Sequence, residues 1–173
     1  MEVENWASGP RAITWDETLA FEAPLLSEAY KTWRVAAEGA IPPRSRITAR
    51  LAKAFVGNLM IFERQSPGVY LIRLMGSRIT HVLGEMQGKL LSETLPAVAS
   101  ERWTMALNNV LASRKPLRVV TVVNINEMQF LEAEIFLAPL CDDQGQETMV
   151  FAVVFFRSGV AKSRSIDDLV VKN

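Results

Sequence analysis

The run Met149–Phe156 constrains the fold more than any other stretch, because Met-Val-Phe-Ala-Val-Val-Phe-Phe is apolar at every position. Its β-branched and aromatic side chains predict a strand. An antiparallel strand with one face in water alternates apolar and polar residues, whereas a strand covered on both faces does not. The run therefore predicts a sheet that is shielded from water on both sides, and the rest of the chain has to supply both covers.

Four other stretches predict strands that could join this sheet. Gln65-Ser-Pro-Gly68 has proline and glycine in the order that a type II turn favours, so the stretches on either side of it predict a hairpin. The last three predicted strands are joined by short polar turns, which indicates antiparallel neighbours. The five predicted strands are residues 58–64, 69–76, 117–125, 130–140 and 148–156.

A helical pattern over residues 25–38 precedes the strands. Its apolar stripe, with spacing i, i+4, i+7 and i+11, consists of Leu26, Tyr30, Trp33 and Ala37. A helix with such a stripe must lay it on another apolar surface. We expect this helix to pack on the outer face of the sheet or to join a dimer interface.

Shorter helical patterns could cover the other face. Residues 78–83 form one between two glycines, and apolar residues recur at helical spacing from about 100 to 112. Closer to the N-terminus, Thr14-Trp-Asp-Glu17 has the form of a capping box, which predicts a short helix ahead of residue 25.

Composition excludes several classes of function. With one cysteine, Cys141, and one histidine, His81, the chain cannot form an internal disulfide, a thiolate metal cluster or a multi-histidine metal site. Its 19 basic and 19 acidic residues cancel, so no overall field draws it to nucleic acid. No apolar run approaches the ~18 residues of a membrane span, and the acidic start lacks a secretory pattern. We therefore expect a cytoplasmic protein that binds no metal, nucleic acid or membrane.

Five short motifs follow one another along the chain: Pro42-Pro-Arg44, Arg73-Leu-Met-Gly76, Leu83-Gly84, Gly88-Lys-Leu-Leu91 and Ala138-Pro-Leu140. Their order, and the order of the predicted elements, resembles the stand-alone bacterial PAS-fold family. The resemblance covers about residues 25–157 and leaves 1–24 as an N-terminal extension and 158–173 as a C-terminal tail. It implies an α+β fold: a five-stranded antiparallel sheet with helices on one face and the N-terminal helix on the other face or at a dimer interface.

The same resemblance implies a sensory or signalling module that binds a small ligand or a protein partner and is not an enzyme. No kinase, cyclase or DNA-binding segment follows residue 157, so we expect the output to pass through a separate signalling protein. We also expect a homodimer. A ligand or partner would act by favouring one arrangement of the N-terminal helix against the sheet.

A pocket for a small apolar or aromatic ligand would be lined by methionine, aromatic and aliphatic side chains. The same residues also describe a filled core, which is the preferred interpretation because native interiors seldom contain large voids. Arg73 interrupts an apolar strand, so it must reach water, a carboxylate such as Glu132 or Glu134, or an anionic ligand. The candidate pocket residues are Met60, Ile72, Leu74, His81, Met86, Trp103, Leu107 and Phe136.

Comparison with the family that the chain resembles argues against two cofactors, flavin and haem. Members that form a flavin photoadduct need a cysteine in the helices over the sheet, whereas Cys141 lies in the turn between the last two strands. Haem-binding members usually place the axial histidine on the longer helix, whereas His81 falls on the short one. We therefore predict neither flavin nor haem.

An alternative comes from a different class of fold. Cone-shaped α+β folds of the ketosteroid-isomerase type act as small isomerases or hydrolases with a histidine and a carboxylate, and His81 with Glu134 would be the pair here. Such folds usually have more helix before the first strand and longer strands. The sensory interpretation is therefore preferred.

Overall fold

The computed structural model describes residues 14–126 and 129–157, which form a six-stranded antiparallel sheet with helices packed on its two faces. The strands are β1 Thr14–Asp16, β2 Leu59–Ser66, β3 Val69–Met75, β4 Leu117–Asn126, β5 Gln129–Leu140 and β6 Met149–Phe156. They lie in the order β1-β4-β5-β6-β2-β3. The four α-helices of the described ranges are α1 Pro24–Ala37, α2 Ser77–Leu83, α3 Leu91–Thr94 and α4 Ala97–Ser113.

All five predicted strands form, and the α+β architecture is confirmed. The predicted hairpin is β2–β3, and Gly68 has a φ of +75°, as the second central position of a type II turn requires. None of the helices in the described ranges is long and apolar enough to cross a bilayer.

The sixth strand, β1, comes from the region where a capping box predicts a helix, and that prediction is wrong. Residues 14–16 instead pair with β4, with Asp16 opposite Arg118. The Asp16 carboxylate then accepts hydrogen bonds from both the backbone N–H and the hydroxyl of Thr18, which turns the chain away from the sheet edge. Pairing with an open strand edge outweighs the local capping pattern.

The β6 strand lies inside the sheet, between β5 and β2, and every residue from Met149 to Val154 is buried. Alternate side chains enter two different hydrophobic clusters. Val150, Ala152 and Val154 join the inner cluster, under α2, α3 and α4. Met149, Phe151 and Val153 join the outer cluster, under α1. The sheet is thus shielded on both faces, as the uninterrupted apolar run predicts.

The α1 helix packs its predicted stripe on the outer face of its own sheet. Leu26, Trp33 and Ala37 are buried, and Tyr30 packs against the same cluster. The indole Nε1 of Trp33 donates a hydrogen bond to the Pro139 carbonyl at 3.0 Å, which fixes the helix over β5. The stripe is consequently not free to form a dimer interface while α1 lies on the sheet.

Phe136 is central to this contact, because its ring packs edge-on against Tyr30, Trp33 and Phe151 with centroids 5.7 to 6.5 Å apart. We expect Phe136→Ala to lower the free energy of unfolding by ~3–5 kcal/mol, since it leaves a cavity in a closed core. Val35→Ala is the matched control, because Val35 is 69% exposed, and it should change stability by less than ~0.5 kcal/mol. Urea denaturation followed by circular dichroism measures both, and similar losses for the two variants would contradict this packing.

Candidate functional site

Most of the candidate pocket residues lie in the inner core, between the sheet and helices α2 to α4. Met60, Ile72, Met86 and Leu107 are buried in one continuous cluster, and Trp103 packs against its edge, 5.9 Å from the Phe62 ring. In the structure these side chains pack against one another, which corresponds to the filled-core interpretation of the set.

Leu74 and Phe136 are corrections to that set, because both belong to the outer cluster, on the opposite face of the sheet. For Leu74 the reason is a β-bulge. Ile61 pairs with Leu74 but the next residue, Phe62, pairs with Ile72, so β3 has one extra residue at this point. The bulge turns Leu74 away from the face that Ile72 occupies, although a regular strand would place both on one face.

Arg73 occupies the bulge and points to solvent. Its Nε lies 3.0 Å from a carboxylate oxygen of Glu63, and its side chain is about half exposed. The structure therefore does not pair Arg73 with Glu132 or Glu134, the carboxylates that the sequence suggested as partners. The bulge lets the arginine leave the apolar strand without burying its charge.

Glu134 is the centre of a charge cluster on the outer face. Its side chain has no solvent exposure, yet it carries a carboxylate in an apolar strand. One carboxylate oxygen accepts the Glu22 N–H at 2.9 Å and Nε of Arg118 at 2.7 Å, and the other accepts the Ala23 N–H at 2.9 Å. Since Glu22 and Ala23 immediately precede α1, Glu134 fastens the segment that leads into that helix to the sheet.

The cluster extends from Glu134 to three other parts of the chain. Arg118, on β4, also pairs with Asp16 of β1 at 3.2 Å and with Glu22 at 3.4 Å. Arg157, immediately after β6, pairs with Glu22 at 2.7 Å and with Glu132 at 3.2 Å. The charge cluster thus joins the N-terminal strand, the start of α1 and the end of β6. Its members are Asp16, Glu22, Arg118, Glu132, Glu134 and Arg157.

The two carboxyls nearest Arg118 titrate below their usual range. Burial by itself raises the pKa of Glu134, but the hydrogen bonds from the Glu22 amide, Arg118 and the Ala23 amide outweigh it and lower that pKa. The pKa of Asp16 is lowered in the same way, against burial, by hydrogen bonds from Thr18 and Arg118. Both groups therefore favour the ionised form in the folded protein.

A separate hollow of about 360 Å³ opens at one end of the sheet, between α2 and the end of β6. Gly76, which immediately precedes α2, lies so close to the Gly57 carbonyl that a side chain at position 76 would not fit. This close approach of the backbone places α2 beside the hollow. His81 is the one candidate pocket residue that lines the hollow. The full lining is Asn58, Ser77, Arg78, His81, Val82, Phe155 and Phe156.

Comparison with known proteins assigns the family. A family model described as PAS domain matches residues 22–155. The chain belongs to the PAS domain family. No curated protein matches it. The match begins at Glu22, whose amide binds Glu134, and ends one residue before the end of β6. It therefore contains Glu22, Arg118, Glu132 and Glu134 of the charge cluster and every residue that lines the hollow except Phe156.

Several solved structures are similar to parts of this chain. The light state of the blue-light photoreceptor Aureochrome1 LOV is 16% identical, with a TM-score of 0.46, over 65% of this chain and 89% of that one. A Rhodobacter sphaeroides LOV protein is 14% identical, with a TM-score of 0.47, over 77% of this chain and 69% of that one. A sensory box histidine kinase/response regulator from Burkholderia thailandensis is 14% identical, with a TM-score of 0.40, over 69% and 90%. Because these identities and TM-scores are low, the family assignment rests on the match to the PAS domain model.

The residues of this PAS domain do not fit a flavin thiol adduct. Its one cysteine, Cys141, follows β5, and the thiol donates to the Ile41 carbonyl at 3.6 Å. Burial, and then the carboxylates of Glu147 and Asp142, raise the pKa of this thiol, which disfavours the reactive thiolate. Helices α2 to α4 contain no cysteine that could attack a flavin beneath them. That the domain binds neither flavin nor haem stays a prediction.

The structure does not pair His81 with Glu134, which corrects the isomerase or hydrolase alternative. Both oxygens of Glu134 are engaged by Arg118 and by two backbone amides at the start of α1, whereas His81 is exposed on α2. A lowered carboxyl pKa is also the opposite of what a general acid at neutral pH needs. Within the described ranges, no three His, Cys, Asp or Glu side chains are grouped so that they could hold a metal ion.

Arg118 is the functional residue that sequence reasoning missed. The signal was available, because a basic residue in β4 and an acidic residue in β5 interrupt two neighbouring apolar strands. In the observed register Arg118 lies opposite Phe136, so Glu134 is its diagonal neighbour on the same face. The amides of Glu22 and Ala23 could not be foreseen, since they arrive only when α1 folds onto the sheet.

The lowered pKa of Glu134 gives a signed prediction for acid stability. The folded value lies below the ordinary 4.5, so Glu134 contributes stability above pH ~4.5 that is lost as pH falls through the folded value. We expect Glu134→Gln to be less stable than wild type at pH 7, and the difference to shrink as pH falls below that window. Thermal melts between pH 7 and pH 3 test this. A constant difference across that range would show that the carboxylate charge has no part in it.

Proposed function

We propose that this PAS domain is a sensory module in which a ligand or a protein partner changes the position of α1 against the sheet. The observation that carries the proposal is the fastening of the two residues that precede α1 by the buried carboxylate of Glu134. An apolar stripe alone would let a helix slide, whereas hydrogen bonds of defined direction permit a small number of discrete positions.

Each hydrogen bond that fastens the start of α1 has an energy similar to the differential affinity of a typical signal. Charge-assisted hydrogen bonds to a buried carboxylate each contribute about 1.5–3 kcal/mol. A ligand or partner needs about 1–3 kcal/mol of differential affinity to shift such an equilibrium usefully. Because Arg157 and Arg118 both bind Glu22, a change at the end of β6 or at β1 reaches the start of α1 through direct ion pairs.

Glu134→Gln tests whether α1 opens independently of the sheet. The substitution removes the charge and turns one acceptor into a donor beside two backbone amides. We expect the amides of α1 to exchange with deuterium roughly ten to a hundred times faster, while those of β5 and β6 change little. Hydrogen–deuterium exchange read by mass spectrometry resolves the two regions.

Glu132→Gln is the matched control, because Glu132 lies two residues away on the same strand but is 45% exposed, and within the described ranges its ion pair is with Arg157. Its effect on α1 exchange should be about fivefold or less, as for exposed ion pairs. If α1 and β5 exchange together in every variant, α1 has no separate open state and the sensory mechanism is excluded.

The proposal also includes a homodimer in the cytoplasm that passes its signal to a separate protein. The α1 stripe is occupied by the sheet, so a dimer must use another surface while α1 is closed. Light scattering of the wild-type protein at micromolar concentration should give twice the mass of one chain, and a monomeric mass would remove this part of the proposal. A charged residue at Trp33 is a poor test, since it would disrupt the outer core.

A further inference from the structure

We infer that the hollow between α2 and the end of β6 binds small organic carboxylates that have an apolar, preferably aromatic, body. The inference rests on the proposed function, because it names the class of ligand that such a sensor would detect. It places the ligand at the end of the sheet and outside the filled inner core.

The walls of the hollow offer apolar contact at fixed positions. Phe155 and Phe156, the last two residues of β6, are only partly buried and both line the hollow. Phe155 also packs against the outer cluster and Phe156 against the inner one, so the hollow lies at the end of the sheet between its two faces. Asn58 forms part of the wall, and its amide donates to the Val154 carbonyl at 2.8 Å, so this wall is tied to the same strand. Aromatic and aliphatic surface of this kind suits a planar or short-chain apolar body.

The polar side of the hollow is a set of hydrogen-bond donors without acidic neighbours. Ser77, Arg78 and His81 project from α2, with Ser77 and His81 one helical turn apart. Within the described ranges the Arg78 guanidinium has no ion pair or side-chain hydrogen bond. An exposed arginine in the same hollow as two partly buried phenylalanines, with a hydroxyl and an imidazole on the same helix, is suited to bind a carboxylate in the bidentate way.

The size and openness of the site limit the ligand further. A volume of about 360 Å³ falls at the lower end of ordinary small-molecule sites. It accommodates a molecule of one or two rings or a short fatty acid, with the carboxylate at the exposed rim. Such a ligand would contact Phe156, whose neighbour Arg157 binds Glu22 at the start of α1, so occupancy of the hollow can affect the charge cluster directly.

Binding of three probe compounds tests the assignment: benzoate, 2-naphthoate and octanoate, each against its uncharged amide, measured on the full chain by isothermal calorimetry. We expect at least one acid to bind, and its amide to bind about tenfold more weakly. Arg78→Met should weaken the acid by about tenfold while keeping the aliphatic stem that packs near Gly57. Arg50→Met is the matched control, because Arg50 is exposed and does not line the hollow, and it should leave affinity unchanged.

Three outcomes would overturn the assignment: no binding of any acid, equal binding of acid and amide, or binding that Arg78→Met does not weaken. Thermal melts of both arginine variants confirm that they are folded. Deuterium exchange with the bound acid separates this inference from the proposed function. If the acid binds through Arg78 but α1 exchange does not change, the site stands and the sensory mechanism fails. If no acid binds but Glu134→Gln releases α1, the mechanism stands and this ligand class is wrong.

Discussion

Burial of β6 on both faces is the constraint on which the rest of the structure depends. A strand with no polar side chain from Met149 to Phe156 has to be covered twice, and the two covers come from separate segments of the chain. Helices α2 to α4 close the inner face, and α1 closes the outer face. The outer cover consists of α1, which lies in the connection between β1 and β2, with Ala52 and Phe55 from the segment that follows it. In the proposed function, the attachment of α1 is the part of the fold that changes while the inner core stays intact.

That attachment combines an apolar and a polar component. The apolar component is the packing of Trp33 and Tyr30 on Phe136, which favours closure without specifying one position. The polar component is Glu134, whose carboxylate is removed from water and would be strongly unfavourable without partners. Two backbone amides and Arg118 supply those partners only when α1 begins at the right place on the sheet. A buried charge of this kind specifies a position more than it adds stability, as the proposed movement of α1 requires.

The hollow and the charge cluster are linked through one short segment. Phe155 and Phe156 line the hollow, and the next residue, Arg157, binds both Glu22 and Glu132. Phe155 also lies directly opposite Glu134 in the β5–β6 pairing. A molecule in the hollow would therefore act on side chains that are next to the fastening of α1, along a contiguous set of packed and paired groups. Under the proposed function and the inferred ligand site, this end of the sheet is where a ligand and α1 would meet.

Local pattern determined much of this protein. Short-range signals in the sequence predict the β6 strand, the Pro67-Gly68 turn and the α1 stripe. The antiparallel sheet and its two covers could therefore be predicted from the sequence.

The tertiary structure alone decided what depends on register and on contacts between distant residues. A single extra residue in β3 reversed the face of Leu74, and the edge of β4 drew Thr14–Asp16 into a strand. Glu134 met the Glu22 and Ala23 amides across more than one hundred residues of chain. Periodicity reports which residues avoid water, but the partner of a buried charge is set by three-dimensional position, which no local pattern contains.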